Sequence, residues 1–448
     1  MEHIPKSIQT MIEKLNKNGY EAFLVGGCVR DFVLNRVPKD YDVATSATPE
    51  QVKEVFVGVP VIETGIAHGT VTVLWGEFPI EITTYRVEST YEDHRRPSEV
   101  FFTTQLKEDL ARRDFTMNAL AYHPKLGMID YFNGIEDIHN KRICCVGNAT
   151  ERFSEDALRI MRALRFASEL DFVIEEKTKK ALVLKKELLQ YISAERIRVE
   201  LEKLLCGKAV KDILLDYSEI LITIIPESEK MIGFKQHNPH HLYDVYTHTV
   251  MAVEAIEPEI SLRLTMLFHD IGKPETFRLD EKGIGHFYGH PQVSAKLTKQ
   301  IMKKLRFDKK TIHKVEQLVL YHDYEIMPRK KSIRKAVFLV KDYFEDLLKV
   351  KRADYLAQAN PEEKLENLEK VKSIWEEMKL EEECLSLKDL GITGRDLEEV
   401  KPVYRGRILS RLLEEVMEEK LVNEKEELLA RVNELLEEFL LEETISNK

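Results

Sequence analysis

The sequence contains no run of about 18 apolar residues, and its first residues, MEHIPKSIQT, show no signal-peptide pattern. Its five cysteines lie far apart or side by side without C-x-x-C spacing, which indicates reduced thiols and argues against a structural zinc held by four cysteines. A formal net charge of −11 excludes a basic coat over the whole surface, so any contact with nucleic acid must use local basic patches. We therefore expect a cytoplasmic protein that makes no membrane contact.

The 448 residues are 43% hydrophobic and 32% charged, a composition typical of globular domains, and a chain of this length predicts more than one core. Alternating apolar and polar residues in GTVTVLW and PIEITTYR predict a half-buried sheet near the beginning of the chain. From about residue 150 the pattern becomes helical almost to the end. The polar stretch KQHNPHHL predicts a boundary within the helical part.

Two aspartates one residue apart follow a pair of glycines in LVGGCVRDFVLNRVPKDYDVAT. If KDYDVAT is a strand, Asp40 and Asp42 point to one face, where two carboxylates repel each other unless a cation lies between them. Magnesium suits such oxygen ligands and commonly bridges substrate phosphates. Backbone N–H groups around Gly27 and the guanidinium of Arg30 would then hold a triphosphate. Glu81 is either a third carboxylate on a neighbouring strand or an ordinary outward-facing residue.

A second group of polar residues carries a base-reading pattern. The residues are Arg113 and Asn118 in RRDFTMNAL, and Asp156, Arg159, Arg162 and Arg165 in EDALRIMRALRF. The last four fall at three-residue steps, which predicts one side of a helix; such a side is either an exposed basic face or a binding surface. An aspartate accepts from an exocyclic amine and an arginine donates to ring or carbonyl acceptors. Such a pair would select CTP and ATP over UTP and GTP.

These motifs, in this order, resemble the class II tRNA nucleotidyltransferase and poly(A) polymerase family. The resemblance covers at least residues 20–205, with weaker similarity to the chain end. It rests on LVGGCVRD, KDYDVAT, HGTVTV, PIEITTYR, DLARRDFTMNAL, DYFNG, EDALRIMRALRFA and AERIRVELEKLL. It implies that Arg113 contacts the incoming nucleotide and Asn118 its ribose. It also implies that Asp156 and Arg159 read the base, and that Arg162 and Arg165 add nucleotide or phosphate contacts. Arg196 and Arg198 would hold the tRNA acceptor stem through its phosphates.

The segment VESTYEDHRRPSEVFF resembles the flexible loop of family members that add the terminal A. Members that add only CC lack much of this loop, so the resemblance implies addition of C, C and A. Addition of A alone stays open, because such enzymes share most of the motifs.

Histidines and aspartates in the second half form a separate pattern. They are His248 in YTHTV, His269 and Asp270 in LFHDIGKP, His290 in YGHPQ, His322 in LYHD and Asp354 in RADYL. The adjacent His-Asp pair lets two unlike ligands reach one cation, and His290 with His322 could hold a second metal. Mixed imidazole and carboxylate ligands suit Ni, Mn, Co or Fe better than Mg, and a bound metal supplies hydroxide for attack on a phosphoester. The pattern resembles the HD-domain metal phosphohydrolases, a region that we do not expect in poly(A) polymerases.

We therefore predict an α+β protein in which a small N-terminal sheet head precedes a long all-α region. Its parts are a polymerase β-like nucleotidyltransferase head (1–140), a nucleotide-selecting and RNA-binding helical neck (141–230), an HD metal-binding domain (231–360) and a helical tail (361–448). As a monomer or homodimer, it would add C, C and A to tRNA from CTP and ATP with Mg²⁺, releasing pyrophosphate. Three alternatives stay open: a second, phosphohydrolase activity in the HD domain, addition of A alone, and an HD phosphohydrolase whose head only binds RNA. An acidic helical scaffold would explain only the C-terminal third.

Overall fold

The computed structural model describes residues 4–76, 78–88, 100–238, 242–381 and 384–446. The chain forms two compact units, Met1–Pro226 and Glu227–Lys448. Their boundary lies close to the predicted end of the neck at residue 230, and the finer division into four parts stays a prediction. Within the described ranges, no helix is both long and apolar enough to cross a membrane.

The first unit contains a seven-stranded mixed sheet with the order β3-β4-β5-β2-β1-β8-β9. The strands are β1 (Ala22–Val25), β2 (Asp42–Thr45), β3 (Val61–Ile62), β4 (Thr70–Trp75), β5 (Phe78–Thr84), β6 (Arg86–Glu88), β7 (Val100–Phe102), β8 (Leu120–His123), β9 (Gly127–Asp130), β10 (Arg142–Ile143) and β11 (Val173–Ile174). Strands β6 and β7 pair with each other, as do β10 and β11. In the seven-stranded sheet β2 runs parallel to β5 and antiparallel to β1. Strand β2 is therefore central, and the beginning of it lies between two neighbours.

In the described residues of the first unit, eleven α-helices accompany this sheet. They are α1 (Lys6–Lys17), α2 (Gly27–Val33), α3 (Pro49–Val55), α4 (Leu106–Ala111), α5 (Gly134–His139), α6 (Ala149–Glu155), α7 (Leu158–Leu170), α8 (Glu176–Lys185), α9 (Ala194–Leu205), α10 (Val210–Asp216) and α11 (Ser218–Ile224). Helix α1 buries Ile8, Met11, Ile12 and Leu15, the spacing of an amphipathic helix whose apolar side faces a core. Helices α7 and α9 pack against each other. The predicted combination of an N-terminal sheet and a helical remainder is confirmed.

One predicted helix begins later than expected. Helix α7 starts at Leu158, whereas Asp156 ends α6 in an extended conformation with φ −130° and ψ 103°. Asp156 therefore does not share a helix face with the arginines of EDALRIMRALRF, and that prediction is wrong. Its side chain Oδ1 instead accepts a hydrogen bond from the Leu158 N–H at 3.0 Å. A carboxylate just before a helix satisfies one of the N–H groups that the first turn leaves without a partner.

The second unit is almost entirely helical, with one short hairpin. Its elements are α12 (Val245–Ala255), α13 (Ile260–Phe268), α14 (Lys273–Thr276), β12 (Arg278–Leu279), β13 (Gly285–His286), α15 (His290–Lys304), α16 (Lys309–Tyr321), α17 (Lys330–Val340), α18 (Phe344–Leu356), α19 (Glu362–Leu380), α20 (Pro402–Met417) and α21 (Lys425–Ser446). Helix α13 packs against α12, α16 and α18, and its residues 261–268 are all buried. An apolar helix with neighbours on several sides delivers its C-terminal residues into the interior of the unit.

Candidate functional site

The carboxylates of the predicted catalytic strand lie at the start of β2. The register with β5 places Asp42 opposite Glu81, which is the neighbouring-strand position expected for a third carboxylate. Asp40 lies in the bend before the strand, since β2 covers only Asp42–Thr45 of the predicted KDYDVAT. Burial raises the pKa of Asp42 above its ordinary value, and Glu81 and Asp40 add to this effect against the opposing charge of Arg113. A bound cation relieves this kind of repulsion between carboxylates.

Gly26 forms the turn between β1 and α2. Its φ of 73° and ψ of −132° belong to a region that residues with a Cβ rarely adopt. A Cβ at this position would lie 2.9 Å from Arg113 Nη1 and 3.9 Å from Asp42 Oδ2. The glycine therefore lets the Arg113 guanidinium approach the turn beside Asp42. Gly27, the predicted nucleotide-binding glycine, is the first residue of α2.

Hydrogen bonds connect the predicted nucleotide-binding residues in series. Arg30 Nη1 donates to Asn118 Oδ1 at 2.9 Å, and Asn118 Nδ2 donates to Asp114 Oδ1 at 3.0 Å. Arg162 Nε donates to the other oxygen of Asp114 at 2.8 Å. Burial alone would raise the pKa of Asp114, but the Arg162 guanidinium and the Asn118 amide bring it below its ordinary value. An ionised, buried carboxylate thus joins residues that are far apart in the sequence.

The same arginines surround one aromatic ring and share a second buried carboxylate. The guanidinium carbons of Arg30, Arg162 and Arg165 lie 5.2, 5.2 and 4.7 Å from the centre of the Phe166 ring. Glu200 of α9, only 5% exposed, lies 3.2 Å from Arg165 and 3.8 Å from Arg162. Cations over an aromatic face are attracted by its quadrupole, so the ring and the carboxylate both stabilise the cluster.

Asp114 and Glu200 are the residues of this site that the sequence analysis did not single out. For Glu200 a signal was present: it follows Ile197 by three residues and precedes Leu204 by four. A glutamate in the apolar stripe of a helix predicts a buried partner of opposite charge. The partners themselves lie on α7, and helical spacing within α9 does not reveal them.

Asp156 and Arg159, the predicted base-reading pair, have separate contacts. Arg159 is 8% exposed and donates to Glu155 at 2.8 Å and to the carbonyl oxygens of residues 152 and 112 at 3.1 and 2.8 Å. Asp156 Oδ2 instead lies 3.0 Å from Arg196 Nη2. Arg198, the other arginine assigned to the tRNA stem, lies 3.7 Å from Glu202. The structure thus brings Arg196 to Asp156, one of the two predicted base-reading residues.

The six predicted HD-type ligands meet in the second unit as two triads. One triad is His248, His269 and Asp354, and the other is Asp270, His290 and His322. Within each triad the ligand atoms all lie within 4.8 Å of one another, and all six side chains are buried. Across the described part of the chain, these are the triads of His, Cys, Asp and Glu with that geometry. The residues come from α12, α15 and α18 and from the ends of α13 and α16.

The four imidazoles are oriented in the same way. Each Nδ1 lies within hydrogen-bond distance of a backbone carbonyl oxygen: 3.2 Å for His248 with Ala357, 2.7 Å for His269 with Met266, 2.9 Å for His290 with Phe287 and 2.7 Å for His322 with Val319. A carbonyl can only accept, so these contacts favour an Nδ1–H on every ring and leave the Nε2 lone pair as a ligand. The Nε2 atoms face each other in pairs, 3.3 Å apart for His248 with His269 and 3.2 Å for His290 with His322. Facing lone pairs repel, and a proton or a cation between them removes that repulsion.

Asp270, a member of the second triad, also lies close to the first. Its Oδ1 is 3.4 Å from His290 Nε2, and its Oδ2 is 3.2 Å from His269 Nε2. The side chain is 1% exposed, yet neither oxygen accepts a hydrogen bond of acceptable geometry from the described residues. Burial lowers the pKa of His269, but Asp270 and Asp354 outweigh it and bring the pKa to about 10. Asp270 Oδ2 also lies 2.7 Å from the buried Lys273 Nζ. A buried carboxylate that several imidazoles and an ammonium approach attracts positive charge, which is the chemistry of a cation site with one bridging carboxylate.

Three family models match successive parts of the chain. The Poly A polymerase head domain matches residues 22–144, and the RNA and SrmB-binding site of polymerase A matches residues 171–232. A model for domain 2 of tRNA nucleotidyltransferases matches residues 279–432. The head-domain model covers the sheet that carries Asp42, and the RNA-binding model covers the helices that include Arg196.

Curated relatives are similar to part of the chain. A CCA-adding enzyme from Lactobacillus delbrueckii subsp. bulgaricus is 53% identical over 207 residues, which are 46% of this chain and 52% of the relative. A CCA-adding enzyme from Listeria monocytogenes is 51% identical over 229 residues, 51% of this chain and 56% of the relative. The chain thus spans about half the length of the curated relatives that it matches.

Solved structures are similar over nearly the whole chain. The crystal structure of the Bacillus stearothermophilus CCA-adding enzyme in complex with CTP matches with a TM-score of 0.70 and 27% identity, over 98% of both chains. The Thermotoga maritima CCA-adding enzyme complexed with tRNA matches with a TM-score of 0.55 and 20% identity, over 97% of both chains. At this lower identity the second match shows the fold alone.

Proposed function

Since the chain belongs to the class II CCA-adding and poly(A) polymerase family, we propose that it adds C, C and A to the 3′ end of tRNA from CTP and ATP. The observation that carries this proposal is the hydrogen-bonded series from Arg30 through Asn118 and Asp114 to Arg162, within the same unit as the Asp42–Glu81 pair. The similarity to CCA-adding enzymes at 51–53% identity favours CCA addition over poly(A) synthesis.

Asp40 and Asp42, with Glu81 opposite Asp42, fit a divalent cation because burial and the charges of Glu81 and Asp40 raise the pKa of Asp42 despite the nearby charge of Arg113. We propose Mg²⁺ here, since its preferred ligands are oxygens; when bound, it neutralises phosphate charge and activates the attacking hydroxyl. Arg30 and Arg113 hold the triphosphate of the nucleotide. The tRNA 3′ hydroxyl then forms a bond to the α-phosphate while the bond to the departing pyrophosphate breaks.

The helical residues of the first unit select and hold the substrates. Asp156 and Arg159 read the base, and Arg162 and Arg165 add contacts to the nucleotide. Asp114 and Glu200 keep Arg162 and Arg165 in position, because their buried carboxylates each contact one or both guanidiniums. Arg198 and its neighbours contact phosphates of the acceptor stem.

The decisive assay offers tRNA that ends before CCA, after C and after CC, each with CTP, with ATP or with both, and measures product length. Incorporation of CMP onto the shortest tRNA and of AMP onto the longest supports the proposal. AMP incorporation onto the longest tRNA alone would indicate an A-only enzyme, and long A tracts would indicate a poly(A) polymerase. Asp40→Ala should abolish incorporation, whereas His269→Ala in the second unit should leave it intact.

We propose a metal-dependent phosphohydrolase as a second function, carried by the two triads of the second unit. The observation that favours it is the pair of facing Nε2 contacts at 3.3 and 3.2 Å, with the Asp270 carboxylate between them. Imidazole and carboxylate ligands fit Ni, Mn, Co or Fe. A metal in such a site supplies hydroxide at neutral pH for attack on a phosphoester.

Two measurements test this second function. Metal-stripped protein is titrated with Mn²⁺, Ni²⁺, Co²⁺ and Fe²⁺, with bound metal per chain as the readout, and hydrolysis of a phosphomonoester and of a nucleoside 2′,3′-cyclic phosphate is then followed. His269→Ala should lose metal and hydrolysis, whereas His313→Ala, an exposed histidine on α16, should retain both. Hydrolysis without any nucleotide addition would instead favour a phosphohydrolase whose first unit only binds RNA.

A further inference from the structure

Both oxygens of the Asp156 carboxylate are held by the protein. Oδ1 accepts from the Leu158 N–H at the beginning of α7, and Oδ2 contacts Arg196 Nη2, each at 3.0 Å. Leu158 belongs to the helix that follows Asp156, whereas Arg196 reaches it from α9. Two contacts from different elements fix the rotation of the carboxylate, which a single contact would leave free.

Arg159 is engaged elsewhere, although it lies only three residues from Asp156. Its guanidinium donates to the Glu155 carboxylate and to the carbonyl oxygens of residues 152 and 112. The guanidinium at the Asp156 carboxylate is thus that of Arg196.

Arg196 also has a donor nitrogen, Nη1, that makes no hydrogen bond among the described residues. This Nη1 is buried, while Nη2 is used by Asp156. A buried N–H group without a partner is costly, and a ligand with a suitable acceptor removes that cost. The carboxylate of Asp156 and the Nη1 of Arg196 therefore belong to one contact pair that offers an acceptor together with a donor.

That combination matches the bases that the proposed function requires. Cytosine and adenine each present an amine donor next to a ring-nitrogen acceptor on the pairing edge. Uracil and guanine present the reverse at these positions, a carbonyl acceptor next to a ring N–H. An oriented acceptor with an adjacent donor can therefore form hydrogen bonds with cytosine and adenine, but it places like groups against each other with uracil and guanine.

We propose that Arg196 is a specificity-determining residue of nucleotide addition: it positions the Asp156 carboxylate through Nη2 and offers Nη1 to the bound nucleotide. This assignment rests on the proposed nucleotidyltransferase function. It replaces the expectation that Arg196 holds phosphates of the tRNA stem, and it adds to the base contact proposed for Arg159 rather than replacing that contact.

The test compares Arg196→Ala with Arg198→Ala, a neighbour on the same helix whose partner is Glu202. For each variant of the full chain, kcat/KM is measured for CTP against UTP and for ATP against GTP, and tRNA affinity is measured separately without nucleotide. Arg196→Ala should reduce discrimination at least tenfold and change tRNA affinity less than twofold. Arg198→Ala should retain the nucleotide discrimination of the unmodified chain but weaken tRNA affinity, because its proposed contact is with phosphates of the acceptor stem.

Arg196→Lys keeps one charged donor for Asp156 and should recover part of the lost discrimination, with a thermal unfolding scan to check folding. Unchanged discrimination in Arg196→Ala, or a tenfold weaker tRNA affinity with normal discrimination, would overturn the assignment and make Arg196 a phosphate contact. A lysine variant as unselective as the alanine variant would overturn the positioning function. If the unmodified chain incorporates no nucleotide, the proposed function itself fails, a result that is distinct from an active but equally selective Arg196→Ala.

Discussion

Replacing Gly26 by alanine should damage both the stability and the activity of the first unit. The φ of 73° and ψ of −132° at this turn are strained for any residue with a Cβ, at a cost of about 1–3 kcal/mol. For a unit of this size, that cost lowers the melting temperature by roughly 2–4 °C per kcal/mol. The new Cβ would also lie 2.9 Å from Arg113 Nη1, so the flexible guanidinium must move. Moving it away from Asp42 and the triphosphate should lower kcat/KM for CTP at least tenfold, roughly the contribution of one charge-assisted contact.

Two other glycines separate these effects. Gly58 has a φ of 84° and no heavy atom within 4 Å of the position that a Cβ would take, so Gly58→Ala should be destabilised by backbone strain while retaining activity. Gly27 has no positive φ and its nearest atom, on the Arg30 side chain, is 3.8 Å away, so Gly27→Ala should not lose stability. Thermal unfolding and CMP incorporation are measured for all three variants. A Gly26→Ala protein as stable as Gly27→Ala, or as active as Gly58→Ala, would refute the reasoning.

Three further predictions concern buried charges. Glu200→Gln should lower the free energy of unfolding by about 1–3 kcal/mol, because two arginines lose a buried anion. Glu202→Gln, in the half-buried pair with Arg198, should lower it less, and equal urea midpoints would contradict this. The raised pKa of Asp42 means that the folded chain binds this proton more tightly than the unfolded chain, so the stability that it contributes is present at low pH and is lost as the pH rises through the folded pKa. In chelator at neutral pH, Asp42→Asn should therefore melt above the unmodified chain and gain nothing from Mg²⁺, and a lower melting temperature would argue against the carboxylate cluster. Mn²⁺ or Ni²⁺ at about 100 times its Kd should stabilise the second unit by about 2.7 kcal/mol, an effect that His290→Ala should reduce and His313→Ala should retain.

The parts of the site that follow from local pattern were predictable from the sequence. Alternation placed Asp42 on a strand and Glu81 on a neighbour, and the structure adds the register that sets them opposite each other. The His and Asp residues predicted as metal ligands were recognisable because metal chemistry restricts the residue types, and the helices bring all six together. Three family models confirm the predicted nucleotidyltransferase and poly(A) polymerase family, which many ordered motifs had indicated, whereas the HD domain stays a prediction.

Tertiary partners were not predictable in this way. The spacing of Asp156 and Arg159 suggested a pair on one helix, but the chain leaves the helical conformation at Asp156. The Asp156 carboxylate instead accepts a hydrogen bond from Arg196, 40 residues later in the sequence. Asp40 likewise lies before β2 rather than within it, because the regular pairing with β1 begins only at Asp42. Propensity and periodicity describe one element at a time, whereas these contacts depend on which elements pack together.

The arginines of the first unit explain how one cluster can be both a structural network and a binding site. Arg30, Arg162, Arg165 and Arg196 each contact a carboxylate, and three of them also lie over the Phe166 ring. A guanidinium has five N–H donors in a fixed plane, so a contact that uses one or two of them leaves others for a ligand. A lysine in the same place would offer a point charge that the internal carboxylate already satisfies. In a chain with a net charge of −11, paired arginines would thus let the proposed polyanionic nucleotide bind without leaving buried cations unpaired in its absence.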